Sequence, residues 1–241
     1  MIKLNLRQLK ERLYKEYILD LDLLNLTSTA KNWLEQEMKR VEEMSFYEKA
    51  LYKKGFNLIG GVDEAGRGPL VGPVVAACVI LPKGVFIPEI KDSKKLSENK
   101  REILAEIIKK QAVAYGIGIV DHDEIDEINI LNATLKAMKE AVLEVKEKID
   151  CLLVDALTIP DISIEQVSIV KGDAKSISIA AASILAKVER DKIMRKYHEI
   201  YPQYNFIKNK GYGTKEHIEA LKKYGPSPIH RKSYIKKFLK G

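Results

Sequence analysis

From residue 56 onward the chain alternates short apolar runs with longer stretches whose apolar residues recur every three or four positions. The runs at 58–62, 74–81, 113–120, 151–154 and 166–170 have strand length, and a bend rich in Gly and Pro separates the first two. Helical spacing predicts helices from Ser97 to about Gln111, from about Ile130 to Lys148, and over 178–197, 215–224 and 228–239. Ser97 is a candidate N-cap, although Lys100 stands where a capping box would place Glu. The helix over 178–197 contains the small-residue run Ala180-Ala181-Ala182-Ser183, which permits close packing on a sheet. Strands alternating with helices predict an α/β core with at least part of its sheet parallel.

Residues 1–54 have a different texture. They contain no Gly or Pro, and Leu6, Leu9, Leu13, Leu21, Leu24 and Trp33 recur at helical spacing. Ser28 and Thr29 are candidate caps for a second helix ending near Glu43, and Ser45 for a third. The expected division is a helical N-terminal extension over 1–55 and an α/β unit over 56–241 that ends in a basic helical segment. For the extension, packing against the larger unit is the ordinary expectation, and binding a partner or substrate is the alternative.

Composition narrows the class. Hydrophobic residues make up 46% of the 241 positions and charged residues 31%, which predicts a soluble globular protein with one sizeable core. The apolar stretch 74–81 is too short to span a bilayer, and the N-terminus shows no secretory h-region, so a cytoplasmic location is expected. Cys78 and Cys151 each lie in an apolar run and read as small buried hydrophobes rather than a disulfide. A monomer is the expected state. Ten basic residues but only two acids, Glu216 and Glu219, fall within 205–241, so this segment carries +8 and the rest of the chain −1, within a net charge of +7. With Tyr204, Tyr212, Tyr224 and Tyr234 nearby, this segment reads equally as a phosphate-facing surface or as a solvated lysine-rich face.

The candidate chemistry lies in acids beside apolar strands. Asp63 and Glu64 are expected to follow the strand 58–62, Asp155 to follow 151–154, and Asp173 to follow 166–170. Strand ends are where sites form in open α/β sheets. Carboxylates crowded there repel one another, and Mg²⁺ or Mn²⁺, which prefer oxygen ligands, relieve that repulsion. Two such ions can activate water and stabilise the leaving oxygen of a phosphodiester. A lone strand-end Asp is more ordinarily a turn cap, and spacing alone does not establish convergence. His122, His198, His217 and His230 form no zinc-type pair, and neither a Walker A motif nor a G-x-S-x-G elbow is present.

The block Gly61-Val62-Asp63-Glu64-Ala65-Gly66-Arg67-Gly68-Pro69-Leu70 resembles the signature of bacterial ribonuclease HII. Further matches follow in the family's order: Asp92-Ser93-Lys94-Lys95-Leu96, Val154-Asp155, Lys171-Gly172-Asp173, the run 181–187 ending at Arg190-Asp191, Tyr201-Pro202, and Gly211-Tyr212-Gly213-Thr214. The resemblance spans roughly 56–234. It implies a ribonuclease H-like core, a mixed sheet flanked by helices with a C-terminal helical portion. It also implies two divalent ions, Mg²⁺ or Mn²⁺, held by Asp63, Glu64, Asp155 and Asp173. Those ions would activate water for attack on the phosphate 5′ to a ribonucleotide, leaving a 3′-hydroxyl and a 5′-phosphate. The implied substrates are RNA–DNA hybrids and DNA duplexes with embedded ribonucleotides.

By the same resemblance, Gly66, Arg67 and Gly68 would read the 2′-hydroxyl, the group that separates RNA from DNA. Tyr212 would stack on the neighbouring deoxyribose, and Asp191 would give structural support. Lys94, Lys95 and Lys187 are candidate phosphate contacts. Ala156 departs from the glycine that many members carry after the third acid, and the extension is absent from the shortest members. Ribonuclease HIII, which lacks the junction-reading tyrosine, is the nearest rival. A non-catalytic nucleic-acid-binding protein is the rival of a different class.

Overall fold

An apolar strand with no polar face must be covered on both sides. That is the situation of β2 (Val74–Ile80), buried at all of its positions. In the computed structural model, which describes residues 3–16 and 24–239, β2 lies in a sheet with β1 (Ile59–Ala65), β3 (Ala114–Val120), β4 (Cys151–Asp155) and β5 (Glu165–Ile169). Leu21 of the extension's helical pattern and Lys240 of the basic segment lie outside the described residues. The strand order is β3-β2-β1-β4-β5. β1 and β2, and β2 and β3, pair antiparallel, whereas β1 and β4, and β4 and β5, pair parallel, so the sheet is mixed as expected.

The period of two along β2 sorts its side chains between two cores. Val74, Ala76, Cys78 and Ile80 pack with Ala137, Met138 and Ala141 of α5 (His122–Glu144). Ala77 and Val79 pack with Leu104 and Ile108 of α4 (Glu98–Gln111) and with Ala180, Ala181 and Ile184 of α6 (Ile177–Ile200). α6 approaches β1 so closely that a Cβ on Gly61 would run into the backbone of Ser178 and Ile179. Cys78 and Cys151 are both free and buried.

Some helix boundaries differ from the expected ones for local reasons. α5 begins at His122, earlier than Ile130, because Asp121 caps it and accepts from His122 N. At Asn129 the helix breaks, with φ 68° and ψ 164°, and the Asn129 side chain accepts from the amides of Leu131 and Asn132. A new helical segment therefore does start at Ile130, but it ends at Glu144 rather than Lys148. α6 starts one residue earlier than expected, at Ile177, because Ser176 caps it with a hydroxyl that accepts from Ile179 N.

Three helices precede the sheet: α1 (Leu6–Glu16), α2 (Ser28–Met44) and α3 (Phe46–Lys53). Thr27, not Ser28 or Thr29, caps α2, and Ser45 makes no side-chain cap because its hydroxyl donates to Val41 O instead. α1 and α2 pack through Leu9, Leu13, Ala30 and Leu34 and reach Phe86 of the core. Glu48 of α3 is buried and accepts from Ser176 Oγ at 2.5 Å and Ser178 N at 3.0 Å, tying the extension to the first turn of α6.

After α6 come the short α7 (Phe206–Asn209), which periodicity did not predict, then α8 (Lys215–Tyr224) and α9 (Lys232–Leu239). α9 starts later than residue 228 because Ile229, His230 and Arg231 are buried in the core. Among the described residues no helix is long and apolar enough to cross a membrane.

Candidate active site

β1 does not stop where its parallel partner does. Its pairing with β4 ends at Val62↔Val154, but its pairing with β2 continues through Asp63↔Ala77, Glu64↔Ala76 and Ala65↔Val75. The acidic pair therefore lies inside the strand, which corrects the expectation that it follows it. Asp63 and Asp155 occupy neighbouring positions one step beyond Val62↔Val154, and equal parity puts them on the same face. Asp155 Oδ1 accepts from Gly172 N at 2.6 Å, which draws the turn Gly172–Ala174, and with it Asp173, to the end of β4. Ala156, just past Asp155, has φ 53°, a left-handed conformation that costs a residue with a Cβ about 1–2 kcal/mol. The glycine common at this position in the family thus has a backbone reason.

Burial and neighbouring carboxylates raise the pKa values of Asp63, Glu64 and Asp173. Asp63 is pushed well above the usual carboxylate range by burial, then by Glu64 and Asp155. Burial also raises Glu64, opposed by Arg67, whose Nη1 lies 3.3 Å from Glu64 Oε1. Asp173 is raised by burial, by Asp92 and by Asp155. Among the described residues no three of these groups converge into a ready-made metal cage. The donors are nevertheless all carboxylate oxygens, the set that hard divalent cations prefer.

The expected lysines part company. Burial works against the charge of Lys94, but Asp63, Asp173, Asp92 and Glu64 more than compensate and hold its ammonium charged. Lys95 instead lines a cleft of about 520 Å³ with Arg40, Tyr47, Lys91 and Lys175, beside α2 and α3. Lys187 is engaged elsewhere, 2.6 Å from Asp191 Oδ1, and Arg101 Nη2 lies 3.3 Å from Asp191 Oδ2. Asp191 is thus a buried structural anchor that holds the Lys187 ammonium. Asp92, quoted in the sequence only as part of a motif, caps the turn Ser93–Lys95 by accepting from Lys94 N at 2.9 Å. The next residue, Ser93, shares a 2.9 Å hydroxyl hydrogen bond with Ser183 of α6, whose hydroxyl faces Asp63 and works against the rise in its pKa.

The loop after β1 is held from beneath by two buried arginines. Arg231 donates to the carbonyls of Gly66, Arg67, Pro69 and Gly72, and Arg190 to those of Val71, Pro73 and Lys210. Burial lowers both to about 10, Arg190 further through Arg231. Arg231 was counted with the basic surface; the structure corrects this, since it is fully buried and serves backbone carbonyls rather than phosphates. Lys210 is likewise paired, 2.8 Å from Glu98. Gly66 is buried at φ 102°, and a Cβ there would strike Arg190 and Pro73 O, so this glycine answers to the turn. Arg67 and Gly68 are exposed, and among the described residues their N–H groups have no protein acceptor. A Cβ on Gly68 would sit 3.4 Å from Tyr212 Cε1, so the half-exposed Tyr212 ring stands directly beside this loop.

Sequence reasoning assigned no individual role to Arg190, His217 or His230, and placed Arg231 only among the basic residues of the C-terminal surface; all four are buried around this loop. Arg190 sits within a quoted motif, but nothing in a lone Arg or His signals that it faces inward.

A mixed sheet of this order sets Asp63 and Asp155 side by side where its parallel and antiparallel halves meet. The family model for ribonuclease HII matches residues 60–237, and the chain belongs to that family. It is 76% identical over 241 residues, the whole of both chains, to the ribonuclease HII of Caldanaerobacter subterraneus subsp. tengcongensis. Among solved structures it is similar to the ribonuclease H2 from Pyrococcus horikoshii OT3, with TM-score 0.62 and 28% identity, covering 75% of this chain and 96% of that one. It is also similar to the RNase HII of Archaeoglobus fulgidus solved as a complex with PCNA, with TM-score 0.63 and 27% identity over 76% of this chain and 98% of that one. The protein is therefore a ribonuclease H enzyme.

Proposed function

We propose that the protein cuts the RNA strand of RNA–DNA hybrids and cuts 5′ to ribonucleotides embedded in duplex DNA, leaving a 3′-hydroxyl and a 5′-phosphate. The observation that carries this reading is the adjacency of two surfaces. A crowded carboxylate cluster, centred on Asp63 and Asp155, adjoins a loop that offers free backbone donors at Arg67 and Gly68 beside the Tyr212 ring.

Asp63, Glu64, Asp155 and Asp173 hold the divalent ions, Mg²⁺ or Mn²⁺. Two bound ions supply water activation and charge stabilisation at the leaving oxygen. The chain's own residues bind and orient the substrate. The Arg67 and Gly68 amides meet the ribose 2′-hydroxyl, which a hydrogen-bonding site can require because a deoxyribose would leave those donors unpaired. Tyr212 stacks on the adjoining sugar, and Lys94, held charged beside the acids, contacts phosphate.

The test is cleavage of a DNA duplex containing one ribonucleotide, with Mg²⁺ or Mn²⁺ and with chelator. Metal-dependent cutting on the 5′ side of the ribonucleotide is expected; no such cut would overturn the proposal, and cutting only within long RNA runs would point to the specificity of ribonuclease HIII. Tyr212→Ala is expected to reduce cutting at isolated ribonucleotides more than at continuous hybrids. Equal losses on both would remove the junction-reading role.

A further inference from the structure

Two buried histidines that take no part in the chemistry above stand behind Tyr212. His217 of α8 and His230, just before α9, are both essentially inaccessible. His217 Nδ1 lies 2.9 Å from the carbonyl oxygen of Tyr212, and its Nε2 lies 3.1 Å from His230 Nε2. His230 Nδ1 lies 2.9 Å from Ser227 N and 2.7 Å from Ser227 Oγ.

The two ends of this chain fix its direction independently. A backbone carbonyl only accepts, so His217 Nδ1 carries the proton and donates to Tyr212 O. A neutral imidazole has a single N–H, so His217 Nε2 accepts, and His230 Nε2 is the donor to it. That leaves His230 Nδ1 as an acceptor, and the Ser227 backbone amide, which only donates, faces it. Protons placed any other way leave a donor facing a donor or an acceptor facing an acceptor. A second proton on His217 would set two N–H groups against each other, and one on His230 would meet the Ser227 amide. The surroundings agree with two neutral rings: Tyr204 and Phe206 pack against both, and the other titratable group facing His230 is His122.

We propose that Ser227, His230 and His217 form a one-way hydrogen-bond relay that positions Tyr212, making the two histidines positioning residues for substrate choice. This rests on the reading of Tyr212 as the group that meets the sugar beside the ribonucleotide. The backbone around Tyr212 is held by Leu70 N on Gly211 O at 2.8 Å and by Tyr212 N on Asn209 O at 2.9 Å, and the relay adds a side-chain tether on the Tyr212 carbonyl. Lys210 and Gly211 both have positive φ, and the Tyr212 carbonyl is held by Thr214 N at 2.8 Å and by His217 alone. The relay ends in the segment 227–231, and that segment also supplies Arg231 beneath Gly66 and Arg67. The amide wall and the tyrosine wall of the site are thereby referenced to one piece of backbone.

The decisive measurement is the ¹⁵N spectrum of the imidazoles in the unmodified protein at neutral pH. His217 is expected as the Nδ1–H tautomer and His230 as the Nε2–H tautomer. Matching tautomers, or a cationic ring at either position, would overturn the relay whether or not any variant folds. His217→Phe keeps the aromatic packing and removes the bonds. Relative to wild type it is expected to lower the ratio of single-ribonucleotide cutting to continuous-hybrid cutting about tenfold, the worth of one lost hydrogen bond. His217→Asn, which retains a donor near the Nδ1 position, should recover part of that ratio. An unchanged ratio in folded His217→Phe, while Tyr212→Ala still alters it, overturns the relay alone. An unchanged ratio in Tyr212→Ala overturns the reading of Tyr212 and the specificity role with it.

Discussion

Asp63 is a buried acid whose charge the fold by itself disfavours, through burial and through Glu64 and Asp155. Asn at this position keeps the shape and removes the charge. Asp63→Asn is therefore expected to melt at a higher temperature than wild type without divalent ions, while retaining duplex binding. Its cleavage rate should fall by roughly a thousandfold or more, the scale of losing a major electrostatic stabiliser of the transition state. Thermal melts, a binding titration and single-turnover cleavage separate the three effects; binding lost in proportion to activity would count against a catalytic role. His230 makes the opposite kind of demand. Burial, and then His217, push its pKa down from 6.5 to about 4. Between those values the unfolded chain binds the extra proton and the folded one does not, so His230 takes stability away as pH falls through this window. His230→Gln should lose less stability than wild type between pH 7 and pH 5, as read by denaturant titration at each pH. Parallel curves would contradict this.

At the level of elements, the site depends on how near α6 can come to β1. Gly61 faces the backbone of Ser178 with no room for a methyl group, and the same helix carries Ser183 to Asp63. Gly61→Ala must push helix and strand apart. Overpacking of this kind costs typically 1–3 kcal/mol, and contact with rigid backbone puts the expected loss at the upper end. Chemical denaturation would measure the stability, and activity should fall alongside it because Ser183 moves with the helix. The N-terminus of α6 is also gripped from outside, by Glu48 of α3 through Ser176 and Ser178. The extension thus braces the helix that supports the acids, and Ser176 N in turn bonds Gly172 O in the turn that bears Asp173.

For the whole molecule, the net charge of +7 remains concentrated toward the C-terminal end, but part of it is already spoken for. Arg231 is buried, Lys210 is paired with Glu98, and Lys208 and Lys215 lie within 3.9 Å of Glu216 and Glu219. Lys222, Lys232, Lys236 and Lys237 stay exposed. Duplex affinity should fall linearly with the logarithm of salt concentration, each phosphate contact adding about 0.9 to the slope. Replacing Lys236 and Lys237 with Ala should reduce that slope; an unchanged slope would make this end an ordinary solvated face.

The sequence by itself determined the alternation of strands and helices, because the periods of two and of three to four are local consequences of which faces are buried. It also determined the acidic set and the Gly-Arg-Gly loop, since the residue types that bind hard cations and shape tight turns are written in the chain. Tertiary structure decided what depends on pairing across long separations. Antiparallel pairing with β2 carried β1 past Val62 and put Asp63 and Glu64 inside the strand. Parallel register with β4 then placed Asp155 beside Asp63. Above all it decided which polar residues turn inward. Arg190, Arg231, His217 and His230 look in the sequence like any surface cation or histidine. They are legible only once the carbonyls of residues 66–73 and of Tyr212 are folded over them, because a buried backbone carbonyl must find a donor and these are the donors in reach.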